Sequence, residues 1–271
     1  MNASPSEQPI GAFDSGVGGL TVVQAMRELL PAEDILYLGD TARVPYGNKS
    51  PDTIIRYSRE IMVYLRGKGV KAVVVACNTA SAHALAILQK ESDIPVIGVI
   101  APGVEAALAA TRNGRVGIIG TQGTIESEAY QDLLRKSRPG VAITAVAAPL
   151  LVSLVEEDWL SRPATQLILE EYLAPMKAAR VDTVVLACTH YPLLKPLAQR
   201  ILGPEVILVD SAQNAAAALA RKMEMAGLSR AARQKVGRTT ICSTDVPVQF
   251  SRLAERFLGE KIKTIQQVTV G

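Results

Sequence analysis

Short runs of β-branched and apolar residues alternate along this chain with longer stretches whose apolar positions recur every three to four residues. The alternation predicts an α/β fold built on largely parallel sheets. Ile10–Phe13, Ile35–Leu38, Ala72–Ala76 and Val96–Val99 read as four strands. Leu20–Leu30, Pro51–Lys68 and Ser81–Glu91 read as helices, the last with Leu85, Leu88 and flanking alanines at helical spacing. A second series of strands follows at Arg115–Ile119, Ala142–Ala147, Thr183–Ala187 and Val206–Val209, again separated by helical stretches. Beyond Asp210 the pattern predicts an alanine-rich helix to about Leu228, a strand at Arg238–Cys242, a helix at Val246–Leu258 and a last strand at Lys261–Val268.

The two series repeat each other. VVVACNT at Val73–Thr79 and VVLACTH at Val184–His190 are each a β-branched run ending in cysteine. Setting Cys77 on Cys188 also brings Gly11 onto Gly117, Ile35 onto Ile143 and Val96 onto Val206 at nearly constant separation. The expectation is two pseudo-symmetric lobes, each a mostly parallel sheet flanked by helices, with an active site in the cleft between them. The last elements have no counterpart between the lobes, and the termini of compact folds often lie close together. The chain is therefore expected to return to its first lobe, giving a discontinuous lobe of residues 8–99 and 211–271 and a second lobe of residues 100–210.

Composition narrows the function. The chain has 271 residues, 48% hydrophobic and 20% charged, which is material for two cores and not a disordered composition. Its 29 Lys+Arg against 26 Asp+Glu leave a net charge of only +3. The basic residues are scattered and not interleaved with aromatics, so no nucleic-acid footprint is present. The uncharged stretch Val141–Val155 is broken by Thr144, Pro149 and Ser153 and falls short of the roughly 18 apolar residues a membrane span requires. The opening MNASPSEQP has neither the basic nor the apolar region of a signal peptide, so the chain reads as cytoplasmic. Three cysteines in that setting are reduced thiols rather than a disulfide framework.

In open α/β sheets ligands bind beyond the carboxyl ends of the strands. There the chain places Asp14-Ser15 leading into Gly16, Gly18 and Gly19, then Gly39-Asp40-Thr41 leading to Pro45-Tyr46-Gly47, then Cys77-Asn78-Thr79. In the second series the corresponding residues are Gly120-Thr121, Glu156 and Cys188-Thr189-His190. The GVGG turn is neither GxGxxG nor a P-loop, and reads as a turn whose amides, with Ser15, hold a carboxylate. Cys188 and His190 are types that bind zinc, but the chain has two histidines and His83 falls on a helix among alanines and leucines. Neither a metal nor a nucleotide is expected. Cys242, inside a strand, reads as packing. A pair of thiols suits removal of a proton from one side of a carbon and its return from the other. A thiol titrates near 8.5, close enough to neutrality to serve as acid or base. Asp14, Glu156 and His190 are placed to move protons to and from the sulfurs.

DSGVGG at Asp14–Gly19, GDTARVPYG at Gly39–Gly47, ACNTAS at Ala76–Ser81 and ACTHYPLL at Ala187–Leu194, in that order over nearly the whole chain, resemble the glutamate racemases of the aspartate/glutamate racemase superfamily. The resemblance implies a cofactor-independent enzyme interconverting L- and D-glutamate and supplying D-glutamate for peptidoglycan, in a family whose members commonly form homodimers. It implies that Cys77 serves the D-enantiomer and Cys188 the L-enantiomer, assisted by Asp14, Glu156 and His190. Asp14, Ser15, Pro45, Tyr46, Gly47, Asn78, Thr79, Thr189 and His190 would bind the carboxylates and ammonium of glutamate. The sequence departs from the family pattern at Ala187, where glycine is usual, and at Ala148-Pro149 and Ser153, where Cys-Pro and Pro are common. A racemase for another acidic amino acid such as aspartate, and a cysteine-nucleophile amidohydrolase using Cys188 and His190, remain as alternatives.

Overall fold

The computed structural model describes residues 4–231, 236–246, 250–262 and 264–271. It divides into two compact units, Met1–Val99 with Ala212–Gly271, and Ile100–Ser211.

In the first unit the strands are β1 (Ile10–Asp14), β2 (Ile35–Gly39), β3 (Ala72–Val75) and β4 (Val96–Gly98), with helices α1 (Leu20–Leu29), α2 (Pro51–Gly67) and α3 (Asn78–Glu91). The second unit holds α4 (Ile100–Ala110), β5 (Arg115–Gly120), α5 (Gln122–Glu126), α6 (Ala129–Ser137), β6 (Ala142–Ala147), α7 (Leu150–Glu156), α8 (Pro163–Ala178), β7 (Thr183–Ala187), α9 (Lys195–Leu202) and β8 (Ile207–Asp210). The chain then returns to the first unit through α10 (Ser211–Met225), β9 (Thr239–Ser243), α11 (Phe250–Leu258) and β10 (Ile265–Gln267). Both sheets are parallel, in the orders β10-β9-β2-β1-β3-β4 and β6-β5-β7-β8. The central strands β1, β2, β3 and β7 are buried along their whole length, because helices cover both faces of a parallel sheet. That is why they appear in the sequence as continuous apolar runs. The α2 helix starts where local chemistry dictates. Ser50 accepts the Thr53 amide at 3.4 Å, Pro51 occupies the first turn, and Asp52 lies at the positive end of the dipole. Its Ile54, Ile61, Met62 and Leu65 pack into a core with Phe13, Leu38, Val73 and Val75.

The pairing register tests the internal repeat. Gly11 lies between Leu36 and Val73, and Val73 pairs with Val96. Gly117 lies in the same way between Thr144 and Val184, but Val184 pairs with Leu208. Gly11 on Gly117, Ile35 on Ile143 and Cys77 on Cys188 therefore keep register, whereas Val96 matches Leu208 rather than Val206. Val206 is consumed by the turn after α9, its amide bonded to Gly203 O at 3.4 Å, and β8 begins one residue later than expected. The α3 helix starts at Asn78 instead of Ser81, because Cys77 itself is its N-cap. The expected helix at Val246–Leu258 is observed from Phe250, residues 247–249 lying outside the described residues. The last strand is confined to Ile265–Gln267, and residue 263 of the expected span also lies outside them.

At the amino ends of β2 and β3 a buried charge cluster ties distant segments together. Lys71 Nζ donates to Glu33 Oε2 at 2.5 Å and to Ser6 O at 2.6 Å, while the Arg230 amide donates to Glu33 Oε1 at 2.8 Å. Arg230 arrives after α10, so this cluster fastens the returning segment to the first sheet. Among the described residues no helix is long and apolar enough to cross a membrane, and no group of three or more His, Cys, Asp or Glu is arranged to hold a metal.

Candidate active site

In the first unit the candidate residues gather at the carboxyl ends of β1, β2 and β3. Asp14 closes β1 with its side chain buried. Its Oδ2 accepts the Gly19 amide at 2.9 Å and the Gly16 amide at 3.4 Å, so the glycine-rich turn folds back onto the residue that begins it. This requires glycine at 19, where a Cβ would stand 2.5 Å from that of Asp14. The expected carboxylate of the turn is thus Asp14's own. The second oxygen, Oδ1, is buried and has no hydrogen-bond partner among the described residues, a group left available for a proton or a ligand.

Cys77 follows β3 and is buried. Its Sγ accepts the Ala80 amide at 3.5 Å and lies 3.9 Å from Ser15 Oγ. The sulfur thus sits at the N-cap of a 14-residue helix, at the positive end of its dipole, where negative charge is stabilised. Asn78 and Thr79 are buried in the first turn of the same helix.

The loop after β2 is organised by Asp40, which is fully buried. Its Oδ2 accepts the Tyr46 hydroxyl and, at 2.7 Å, Arg43 Nε, and its Oδ1 accepts Thr244 Oγ1 at 2.9 Å. Arg43 also pairs with Glu60 and stacks 4.1 Å over the ring of Tyr57. Burial and the Asp40 charge keep the Tyr46 phenol protonated far above the usual range. The Tyr46 hydroxyl thus commits its proton to Asp40 within the loop. Pro45 follows a cis peptide bond and is exposed, and Gly47 is half-buried. The sequence reading passed over Asp40 as a holder of this loop. The GD pair at the strand end is its only local sign, because Thr244 follows β9, more than two hundred residues away.

In the second unit Cys188 follows β7 at the position Cys77 holds after β3, and it too is buried. No α-helix starts at Cys188. A turn leads instead to a short 3₁₀ helix, Tyr191–Leu194. The neighbour of Cys188 is His190, with Nδ1 3.9 Å from the sulfur and 3.4 Å from Thr189 Oγ1, and with Nε2 2.9 Å from Glu156 Oε1 at the end of α7. Burial works against protonation of His190, but the hydrogen bonds and charges of Cys188 and Glu156 outweigh it and push its pKa up to about 10. The imidazole thus carries a proton at neutrality and presents Nδ1–H to the sulfur. Ala148, at a position where the sequence departs from the family pattern, is fully buried, and its carbonyl accepts the Tyr191 hydroxyl at 2.8 Å. The α7 segment carrying Glu156 is thereby anchored to the segment carrying His190.

Each unit therefore contains one buried thiol at an equivalent strand end with its own polar neighbours: Ser15 beside Cys77, and His190, paired with Glu156, beside Cys188. A family model for Asp/Glu/Hydantoin racemase matches residues 16–219. The chain is 49% identical to a glutamate racemase of Geobacter metallireducens over 96% of each chain. Its fold is similar to a glutamate racemase isoform of Bacillus anthracis, with a TM-score of 0.92, 36% identity and coverage of 97% of this chain and 98% of that one. It is similar also to a glutamate racemase of Francisella tularensis solved in complex with D-glutamate, with a TM-score of 0.91, 36% identity and the same coverage. With matching motifs, matching architecture and near-complete mutual coverage, the chain belongs to the Asp/Glu/hydantoin racemase family.

Proposed function

We propose that this chain interconverts L- and D-glutamate by a cofactor-independent two-base mechanism. The observation that carries the reading is the pair of buried thiols at equivalent registers, each with a separate proton reservoir. Starting from D-glutamate, the Cys77 thiolate takes the α-proton and becomes a thiol, while the electron pair spreads into the α-carboxylate. The Cys188 thiol then delivers its proton to the opposite face and becomes a thiolate. The reverse sequence starts from L-glutamate. Asp14 and Ser15 at Cys77, and His190 at Cys188, return the sulfurs to their starting states. Ser15, Pro45, Tyr46, Gly47, Asn78, Thr79 and Thr189, with Asp14 and His190, bind the substrate's charged groups. Glutamate as substrate is supported by the names of the relatives and by the D-glutamate in the Francisella enzyme. The same reading makes the protein a cytoplasmic homodimer that supplies D-glutamate for peptidoglycan. Light scattering on the eluted protein checks the dimer.

The test is incubation of each enantiomer in deuterium oxide, with rotation and α-deuterium followed together and aspartate run alongside. Wild type should lose rotation as deuterium enters glutamate. Cys77→Ala should lower racemisation by roughly a thousandfold or more, yet still exchange the α-proton of L-glutamate with retention. Cys188→Ala should do the same for D-glutamate. Ammonia release, faster turnover of aspartate, or undiminished racemisation in either variant would defeat the proposal.

A further inference from the structure

Tyr37 stands behind the Asp14 turn, and the mechanism above gives it no role. It is the third residue of β2, its side chain is fully buried, and its hydroxyl donates to Gly16 O at 2.7 Å. Gly16 and Gly19 are the two residues whose amides hold Asp14 Oδ2. The Tyr37 hydroxyl is therefore bonded to one end of the turn that aims the carboxylate, and its ring backs the other end at Gly19. A Cβ on Gly39 would lie 2.3 Å from Gly16 O, and one on Gly19 would lie 3.1 Å from the Tyr37 ring. The Gly16 carbonyl thus has one crowded position, fixed by a hydroxyl on one side and by the bare backbone of Gly39 on another. Burial, with the charges of Asp14 and Cys77, holds the phenol in its protonated form, so it remains a donor across the working range.

We propose that Tyr37 is a positioning residue for proton transfer at Cys77, setting the place of the Asp14 carboxylate through the Gly16–Gly19 turn. The inference rests on the racemase reading for its kinetic consequence, but the geometry it asserts can be measured without turnover. A phenylalanine fills the same space and leaves a buried carbonyl without its donor, a loss that corresponds to roughly a tenfold to hundredfold effect when expressed at the reacting group.

The experiment compares wild type, Tyr37→Phe, Asp14→Asn and the double variant. Tyr37→Phe should lower kcat roughly tenfold to hundredfold with KM within about twofold, and should add less than about threefold in the Asp14→Asn background. Gly39→Ala, which crowds the same carbonyl from another side, should reproduce the kcat loss. Amide hydrogen exchange should show Gly16 and Gly19 opening at least about tenfold faster in Tyr37→Phe, with Leu36 and Leu38 in β2 unchanged. Wild-type kcat in Tyr37→Phe, an equal loss in both backgrounds, or unchanged exchange at the two glycines would overturn the inference. If wild type failed to racemise either acidic amino acid, the racemase reading would fall while the exchange measurement still decided the role of Tyr37.

Discussion

Replacing Glu156 by glutamine removes one charge and keeps the shape, and so measures what the carboxylate does for His190. The pair is 2.9 Å between Nε2 and Oε1, with the histidine side chain 5% and the glutamate side chain 32% exposed. Charges centred about 4 Å apart attract by about 4 kcal/mol near a protein surface and about 1 kcal/mol in bulk water. The half-open glutamate places this pair between those limits, at about 1–3 kcal/mol. One pH unit corresponds to about 1.4 kcal/mol, so the proton on His190 should be lost roughly 1–2 units below its present value of about 10. If protonated His190 supplies Cys188, the alkaline limb of the kcat profile moves to lower pH by that amount. Stability carries the same sign. A histidine whose folded pKa is raised contributes fully below about 6.5, and the contribution is lost as pH rises through about 10. Urea titrations should therefore show Glu156→Gln less stable than wild type by about 1–3 kcal/mol near pH 6, with the gap closing above pH 10. An unmoved alkaline limb, a limb displaced upward, or a uniform loss of kcat at every pH would refute the electrostatic role.

Lys71→Met should destabilise the chain by about 3–5 kcal/mol in urea, because it leaves Glu33 buried without its cation; Lys71→Met combined with Glu33→Leu should recover part of that loss. Asp182 lies just before β7, and burial raises its carboxyl pKa, but hydrogen bonds from Thr111, Asn113, Arg112 and Thr183 outweigh burial and hold it below the usual carboxylate range. Its contribution is present above about pH 3.9 and lost as pH falls through the folded value, so Asp182→Asn should cost about 1–3 kcal/mol at pH 7 and little at pH 3, read from urea midpoints at both.

The strands that were legible in the sequence are short runs of mostly apolar and β-branched residues. Ala142–Ala147 and Thr183–Ala187 appear with the expected bounds, and β1, β2 and β3 within one residue. The same property explains the slip at β8. Val206-Ile207-Leu208-Val209 is uniformly apolar, so no alternation distinguishes one register from its neighbour, and a turn bond settled it. The start of α3 was hidden because the usual caps are oxygen-bearing side chains, and here a sulfur takes that place. The site's chemistry-bearing residues were visible as motifs at strand ends. Their supports were not: Asp40 reaches Thr244 across the sheet, and Tyr37 sits mid-strand in a run that reads as core.

The repeated strand and thiol conceal a difference that the reaction itself constrains. Cys77 has a helix N-terminus and a serine hydroxyl, whereas Cys188 has an imidazolium backed by a carboxylate. The enantiomers of glutamate have equal free energy in water, so kcat/KM must be the same in both directions whatever either half-site does. A change at Glu156 therefore lowers kcat/KM for both enantiomers equally, although Glu156 serves only one thiol. Unequal effects can appear only in kcat and KM taken separately, through the balance between the enzyme form with its thiolate at 77, which accepts D-glutamate, and the form with its thiolate at 188, which accepts L-glutamate. A helix dipole is fixed, while an imidazolium can be discharged. Raising the pH past the His190 titration thus weakens support for one form and leaves the other untouched. The two halves can be chemically unlike because the reaction requires equality only of their combined free energy, and pH is the variable that exposes the difference.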